Sequence, residues 1–152
     1  MDALNKLERY IEVRGPFDGL VAFSQGGALA STLLVRQARR GPKEGDVKVA
    51  MFFSALPPVD PDLLESGMIA RLDHDHTEVI SIPTVHVWGA DEHGELAWPP
   101  KLFRLCKEET REQFRHGGGH EIPGSKDHAA VTAIVQRMRR AIWKADEIGL
   151  VN

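Results

Sequence analysis

Cysteine occurs once in the 152 residues, at Cys106, so no internal disulfide can form and a reducing compartment is expected. No apolar run approaches the ~20 residues that a membrane span needs. The N-terminal stretch MDALNKLERYIEVRG is charged and amphipathic, without the apolar core of a signal peptide. Excess charge of one sign is missing as well. The 19 basic and 22 acidic residues leave a net charge of −3, too near balance to draw in nucleic acid or an anionic membrane surface. Internal repeats, low-complexity tracts and interdomain linkers are also lacking. What is present suits one cytoplasmic globular domain over residues 1–152. At 42% hydrophobic and 27% charged residues, the chain can bury a core without disulfides or metals.

The apolar residues set out an alternation of helices and strands. Leu4, Leu7, Ile11 and Tyr10 recur at helical spacing over 2–13, and Gly15-Pro16 closes that segment. DGLVAF at 18–23 reads as a short strand. A helix from Gly26 to Arg40 follows, with Leu29, Ala30, Leu33 and Leu34 buried, cations in its last turn and Gly41-Pro42 as its stop. VKVAMFFSA at 47–55 is a continuous apolar strand of the kind buried on both faces of a parallel sheet. Three prolines and mixed charge make 56–80 an irregular crossover with at most a short helix. IPTVHVWG at 82–89 is the next strand, 100–109 a helix and REQFRH at 111–116 a weaker strand. A long helix begins at Lys126, with Val131, Ile134, Val135, Met138 and Ile142 on its inner face. The fold class expected is α/β, with a mostly parallel sheet of about four strands flanked by helices.

Within this frame, A-F-S-Q-G at Ala22 to Gly26 is a one-residue variant of G-x-S-x-G, set between an apolar strand and a helix. A sharp turn there presents a serine hydroxyl at the carboxyl end of the strand, and the small residues Ala22 and Gly26 relieve the crowding. Backbone N–H groups at the helix start, including that of Gln25, are placed to stabilise an oxyanion. The other reading is that Ser24 merely caps the helix. A nucleophilic serine needs a base, and the base an orienting acid. Asp91 lies just beyond the 82–89 strand, with Glu92 as a backup. His120 follows Gly117 to Gly119, after the 111–116 strand, and His116 is its rival. The chain order is serine, acid, histidine, with each member placed after a strand.

Other constellations are weaker. His74 and His76, with Asp73 and Asp75, form an H-x-H pair in a polar linker without a third ligand at suitable spacing. HGGGH lacks the Lys-Ser/Thr of a phosphate-binding loop. Trp88, Trp98 and Trp143 suit core or rim packing, and Cys106 suits a buried structural thiol. No cofactor or metal is called for.

The segments GPFDGLVAFSQGGALA, IPTVHVWGADE and HGGGHEIPG, with FFSALPP between them, resemble the FSH-type serine hydrolases of the α/β-hydrolase superfamily. These are relatives of carboxylesterases and of thioesterases that release polyketides in secondary metabolism. The likeness runs over nearly all of residues 3–145. It implies ester or thioester hydrolysis through an acyl-enzyme, with Ser24 as nucleophile, Asp91 as acid, His120 as base and the backbone of Gln25 as an oxyanion donor. Ala22 stands where the family has glycine. The family's first strand and its His-Gly loop, which supplies a second oxyanion N–H, find no match ahead of Met1. The expectation is therefore a domain without those N-terminal strands. Its 18–23 strand would be an apolar edge open to self-association, giving either an active hydrolase or an impaired one that serves as an interaction module or needs a partner chain.

Overall fold

A computed structural model describes residues 2–72, 79–92 and 97–150. In chain order the elements are α1 (Asp2–Arg14), β1 (Gly19–Phe23), α2 (Gln25–Arg40), β2 (Val49–Phe53), α3 (Pro61–Glu65), β3 (Thr84–Gly89), α4 (Trp98–Arg104), β4 (Arg111–His116) and α5 (His128–Leu150). The four strands form one sheet in the order β1-β2-β3-β4, and every neighbouring pair is parallel. Each strand thus ends at the same sheet edge, which gathers the segments following β1, β2, β3 and β4 into one neighbourhood.

The continuous apolar runs become the two central strands, each buried along its whole length. Ala22, Ala50 and Phe52 face a core shared with Ala30, Leu34 and Val35 of α2 and Leu102 of α4. Val49, Met51, Phe53, Val85 and Val87 face Ile134, Ala141 and Ala145 of α5 on the opposite side. His86 is wholly buried in β3 between the rings of Phe52 and Phe103, at centroid distances of 5.2 and 5.3 Å. Its Nε2 pairs with Thr84 Oγ1 at 3.0 Å. Burial, aided by the nearby charge of Arg111, pushes its pKa down to about 3, so it serves as a neutral core ring.

Three expectations shift in register. The inner face of α5 is Ala130, Ile134, Ala141 and Ala145, with Met138 partly buried, whereas Val135 and Ile142 lie on the exposed side. Alanines let this helix lie close to the sheet, and that turns the larger residues outward. The expected 100–109 helix becomes α4, starting at Trp98 and ending at Arg104. Lys107 N–H then bonds to Ile80 O at 2.8 Å, drawing the chain back to the sheet to begin β4. Tyr10, counted with the inner face of the first helix, is exposed and stacks on Phe17 at 5.9 Å. The irregular crossover holds only the short helix α3, capped by Asp60, whose carboxylate accepts from the N–H groups of Asp62 and Leu63. The residues His74 and His76, and Asp73 and Asp75, lie outside the described residues.

β1 is an edge strand, and among the described residues nothing pairs with its outer side. Val21 is 64% exposed and Phe23 39%. A groove of about 400 Å³ runs between β1, α1 and α2, lined by Leu7, Tyr10, Leu20, Phe23 and Leu29 among others. A second, of about 270 Å³, separates β1 from Ile142 and Ala145 of α5. No helix among the described residues is long and apolar enough to cross a membrane.

Candidate active site

β1 hands over to α2 through a single residue, Ser24. Its φ of 53° and ψ of −122° lie where a non-glycine residue is strained. The surroundings enforce that conformation. Ser24 N–H donates to Phe53 O at 3.0 Å, and its carbonyl accepts from Gly27 N–H at 2.9 Å and Leu56 N–H at 3.2 Å. The side chain makes no capping bond to α2, so the capping role is not what the hydroxyl does here. The Oγ instead lies 2.9 Å from Nε2 of His120, which is 96 residues further along the chain.

The crowding expected at Gly26 falls one residue later. A Cβ on Gly26 would meet nothing within 4 Å, because that residue opens onto the groove beside β1. A Cβ on Gly27 would collide with Ala55, where α2 passes the end of β2. Gln25 begins α2 as the residue after Ser24, so its backbone N–H is among those a helix leaves without an internal partner.

His120 arrives on the turn that follows β4. His116, its rival in the sequence, ends β4 buried, with Nδ1 accepting from Gly118 N–H at 3.2 Å. It anchors the start of the glycine turn and does not reach Ser24. None of Gly117, Gly118 and Gly119 takes a positive φ. Instead the turn depends on its fit over Gly89, where a Cβ would collide with the carbonyl oxygens of Gly118 and Gly119. The His120 ring is half exposed and tilts against Phe23 at 5.1 Å.

The second nitrogen of His120 meets Glu92, not Asp91. Nδ1 lies 3.2 Å from Oε2 of Glu92, whose side chain is 14% exposed. Asp91, the carboxylate expected beside the histidine, is not the one that the turn after β3 brings there. Glu92 N–H donates to Gly89 O at 3.1 Å, closing a four-residue turn in which Asp91 takes the outer corner and is exposed. Glu92 comes back to the sheet edge, and its extra methylene carries the carboxylate to the imidazole. Its Oε1 accepts from Gly89 N–H at 3.1 Å and from the Ser54 hydroxyl.

Sequence reasoning left out Ser54 and Gly89. Their only signal lay in their position, each at the end of an apolar strand in FFSALPP and VWGADE. The combined chain of contacts, Ser24 Oγ to His120 to Glu92 to Ser54, is competent to draw a proton from a hydroxyl and hold the resulting imidazolium. Among the described residues no three His, Cys, Asp or Glu side chains gather as a metal site.

A serine on the turn between a parallel strand and its following helix, met by a histidine from beyond a later strand, is the arrangement of the α/β-hydrolases. A solved structure shares the fold, that of a monoacylglycerol lipase from Paleococcus ferrophilus. It superposes with a TM-score of 0.53 at 16% identity, over 91% of this chain and 74% of that one. Within that class the chain belongs to the serine hydrolase (FSH1) family, whose profile matches residues 1–131. Curated relatives include esterase FPY3 of Fusarium mangiferae, 34% identical over 125 residues, which is 81% of this chain and 56% of that protein. Hydrolase phiM of a fungal species (strain ATCC 74256) is 34% identical over 146 residues, 92% of this chain and 64% of that protein. The chain thus spans between about half and two thirds of these relatives' length.

Proposed function

We propose that this chain carries the nucleophile, base and acid of a serine hydrolase that cleaves a carboxylic ester or thioester through an acyl-enzyme. The observation that carries this reading is the 2.9 Å approach of His120 Nε2 to Ser24 Oγ. In the proposed cycle, Nε2 takes the hydroxyl proton as Oγ attacks the acyl carbon. The leaving alcohol or thiol then receives that proton, and water repeats the sequence to release the acid. Glu92 replaces Asp91 as the acid that keeps the proton of the neutral ring on Nδ1 and balances the imidazolium. The backbone N–H of Gln25 stabilises the oxyanion. No cofactor enters this cycle. The relatives esterase FPY3 and hydrolase phiM favour small-molecule ester substrates. The thiol of Cys106, buried and donating to Leu102 O at 3.4 Å, suits the reducing cytoplasmic setting we infer.

A fluorophosphonate probe tests the reading. The wild-type chain is expected to label and the Ser24→Ala chain not to. Equal labelling of the two, both folded, would end the proposal for this chain. Where only the wild type labels, parallel assays on a simple ester and an acyl-thioester divide the two substrate classes.

A second reading concerns partners. Val21 and Phe23 on the open edge of β1, with an apolar groove on each side, suit addition of a further strand. We propose that this edge joins two copies. Sedimentation is expected to show a dimer that Val21→Lys dissociates. A monodisperse wild-type monomer with esterase activity would sink that idea.

A further inference from the structure

Among the described residues only two other than glycine hold a positive φ, Ser24 at 53° and Ser54 at 44°. Backbone strain of this kind persists only where its surroundings enforce it, and it gathers at functional sites. At Ser24 the strain belongs to the turn that presents the nucleophile. Ser54 presents no nucleophile, yet it follows β2 at the same sheet edge and is 1% exposed. Its backbone is held by donation of its N–H to Val87 O at 2.7 Å. Its hydroxyl, buried with the residue, donates to Oε1 of Glu92.

We propose that Ser54 is a positioning residue, whose hydroxyl clamps Oε1 of Glu92 so that Oε2 is the oxygen presented to His120 Nδ1. This inference rests on the reading of Ser24 and His120 given above. A glutamate has three side-chain torsions, and one hydrogen bond to its carboxylate leaves the plane of that group free to turn. Gly89 N–H supplies one donor to Oε1, at 3.1 Å, from the acid's own turn. Ser54 supplies the other from the residue after β2, so the carboxylate is tied to the ends of two neighbouring strands. With both donors on Oε1, Oε2 is left to accept the Nδ1 proton, 3.2 Å between heavy atoms. That bond selects the tautomer in which Nε2 is unprotonated and able to take the Ser24 proton. The left-handed Ser54 backbone is the local distortion under which a buried hydroxyl just after β2 meets a carboxylate beyond β3.

The test compares Ser54→Ala, which keeps the strained backbone, with Ser54→Gly, which relieves it. Both remove the hydroxyl. Ring 15N NMR of His120 is expected to show the Nδ1–H tautomer in the wild-type chain and a shift toward Nε2–H in both variants. The rate of fluorophosphonate labelling should fall in both by on the order of tenfold, the scale of one hydrogen bond to a charged group. With an ester substrate the loss should appear in kcat with KM unchanged. In a Glu92→Ala background, Ser54→Ala should add nothing, since the clamp would have no carboxylate to hold. An unchanged His120 tautomer in both variants overturns the proposal, as does a Ser54→Ala loss of equal size with and without Glu92. Should the wild-type chain fail to label at all, the hydrolase reading falls, and the NMR comparison still decides whether Ser54 positions Glu92.

Discussion

Glu92→Gln is expected to slow Ser24 labelling, and ester turnover where it is measured, by about 10⁴-fold, the scale seen when the acid of such a site becomes an amide. Asp91→Asn, one residue earlier, is expected to change either rate by less than about twofold, as surface substitutions away from a hydrogen-bond network do. The contrast follows from which atoms donate to Glu92. Ser54 Oγ–H and Gly89 N–H both point at Oε1, so a glutamine there must place its carbonyl oxygen at that position. Its NH₂ group then occupies the place of Oε2 and faces His120 Nδ1. An N–H donor opposite Nδ1 makes that nitrogen the acceptor and moves the ring proton to Nε2, which can no longer take a proton from Ser24. The folded structure should survive, because the amide fills the same volume and keeps the bonds to Ser54 and Gly89. Circular dichroism and the melting temperature of the variant check this. A Glu92→Gln chain that labels like wild type, or an Asp91→Asn chain that fails to, would return the acid to Asp91.

The one-residue distance between those two carboxylates marks where the sequence stops being legible. VAMFF and TVHVWG are apolar throughout because central parallel strands are covered on both faces, so their burial could be read directly. The tight turn at Ser24 could be read as well, because small residues stand around it between an apolar strand and a helix. The approach of His120 to that turn could be expected from the order of the strands. Which carboxylate meets His120 could not. Asp91 and Glu92 sit in one turn, and which of them returns to the sheet edge depends on the bond from Glu92 N–H to Gly89 O, which no side-chain pattern announces. The same limit applies to Gly26 and Gly27, where only the packing of α2 against Ala55 tells which of them must lack a Cβ. On α5 the difference is one of weight. Alanines 141 and 145 carry little hydropathy, so a stripe drawn by hydropathy passes through the bulkier Val135 and Ile142, and Ile142 stands at the groove beside the open edge of β1.

The second large effect is expected at a residue that carries no side chain. Gly89→Ala should reduce labelling and turnover by about 10²-fold, the scale of a displacement near 1 Å among reacting groups. It should also destabilise the fold by ~1–3 kcal/mol, as overpacking does. Gly89 ends β3 paired with His116 and gives its N–H to Glu92, so its backbone is fixed on two sides. The added methyl would strike the carbonyl oxygens of Gly118 and Gly119, both backbone atoms that no rotamer change can move aside. Relief therefore requires the whole glycine turn to lift. Gly118 is held through His116 Nδ1, so the displacement passes onward to His120 and away from Ser24. Gly117→Ala and Gly119→Ala serve as controls. Neither position has a positive φ, and a Cβ at either meets nothing within 4 Å, so both variants should stay near wild type. If the controls lose activity while Gly89→Ala keeps it, the turn is needed for its flexibility and not for its fit over β3. The expected order, with Gly89 sensitive and Gly117 and Gly119 tolerant, would make the end of β3 the support on which the placing of both Glu92 and His120 depends.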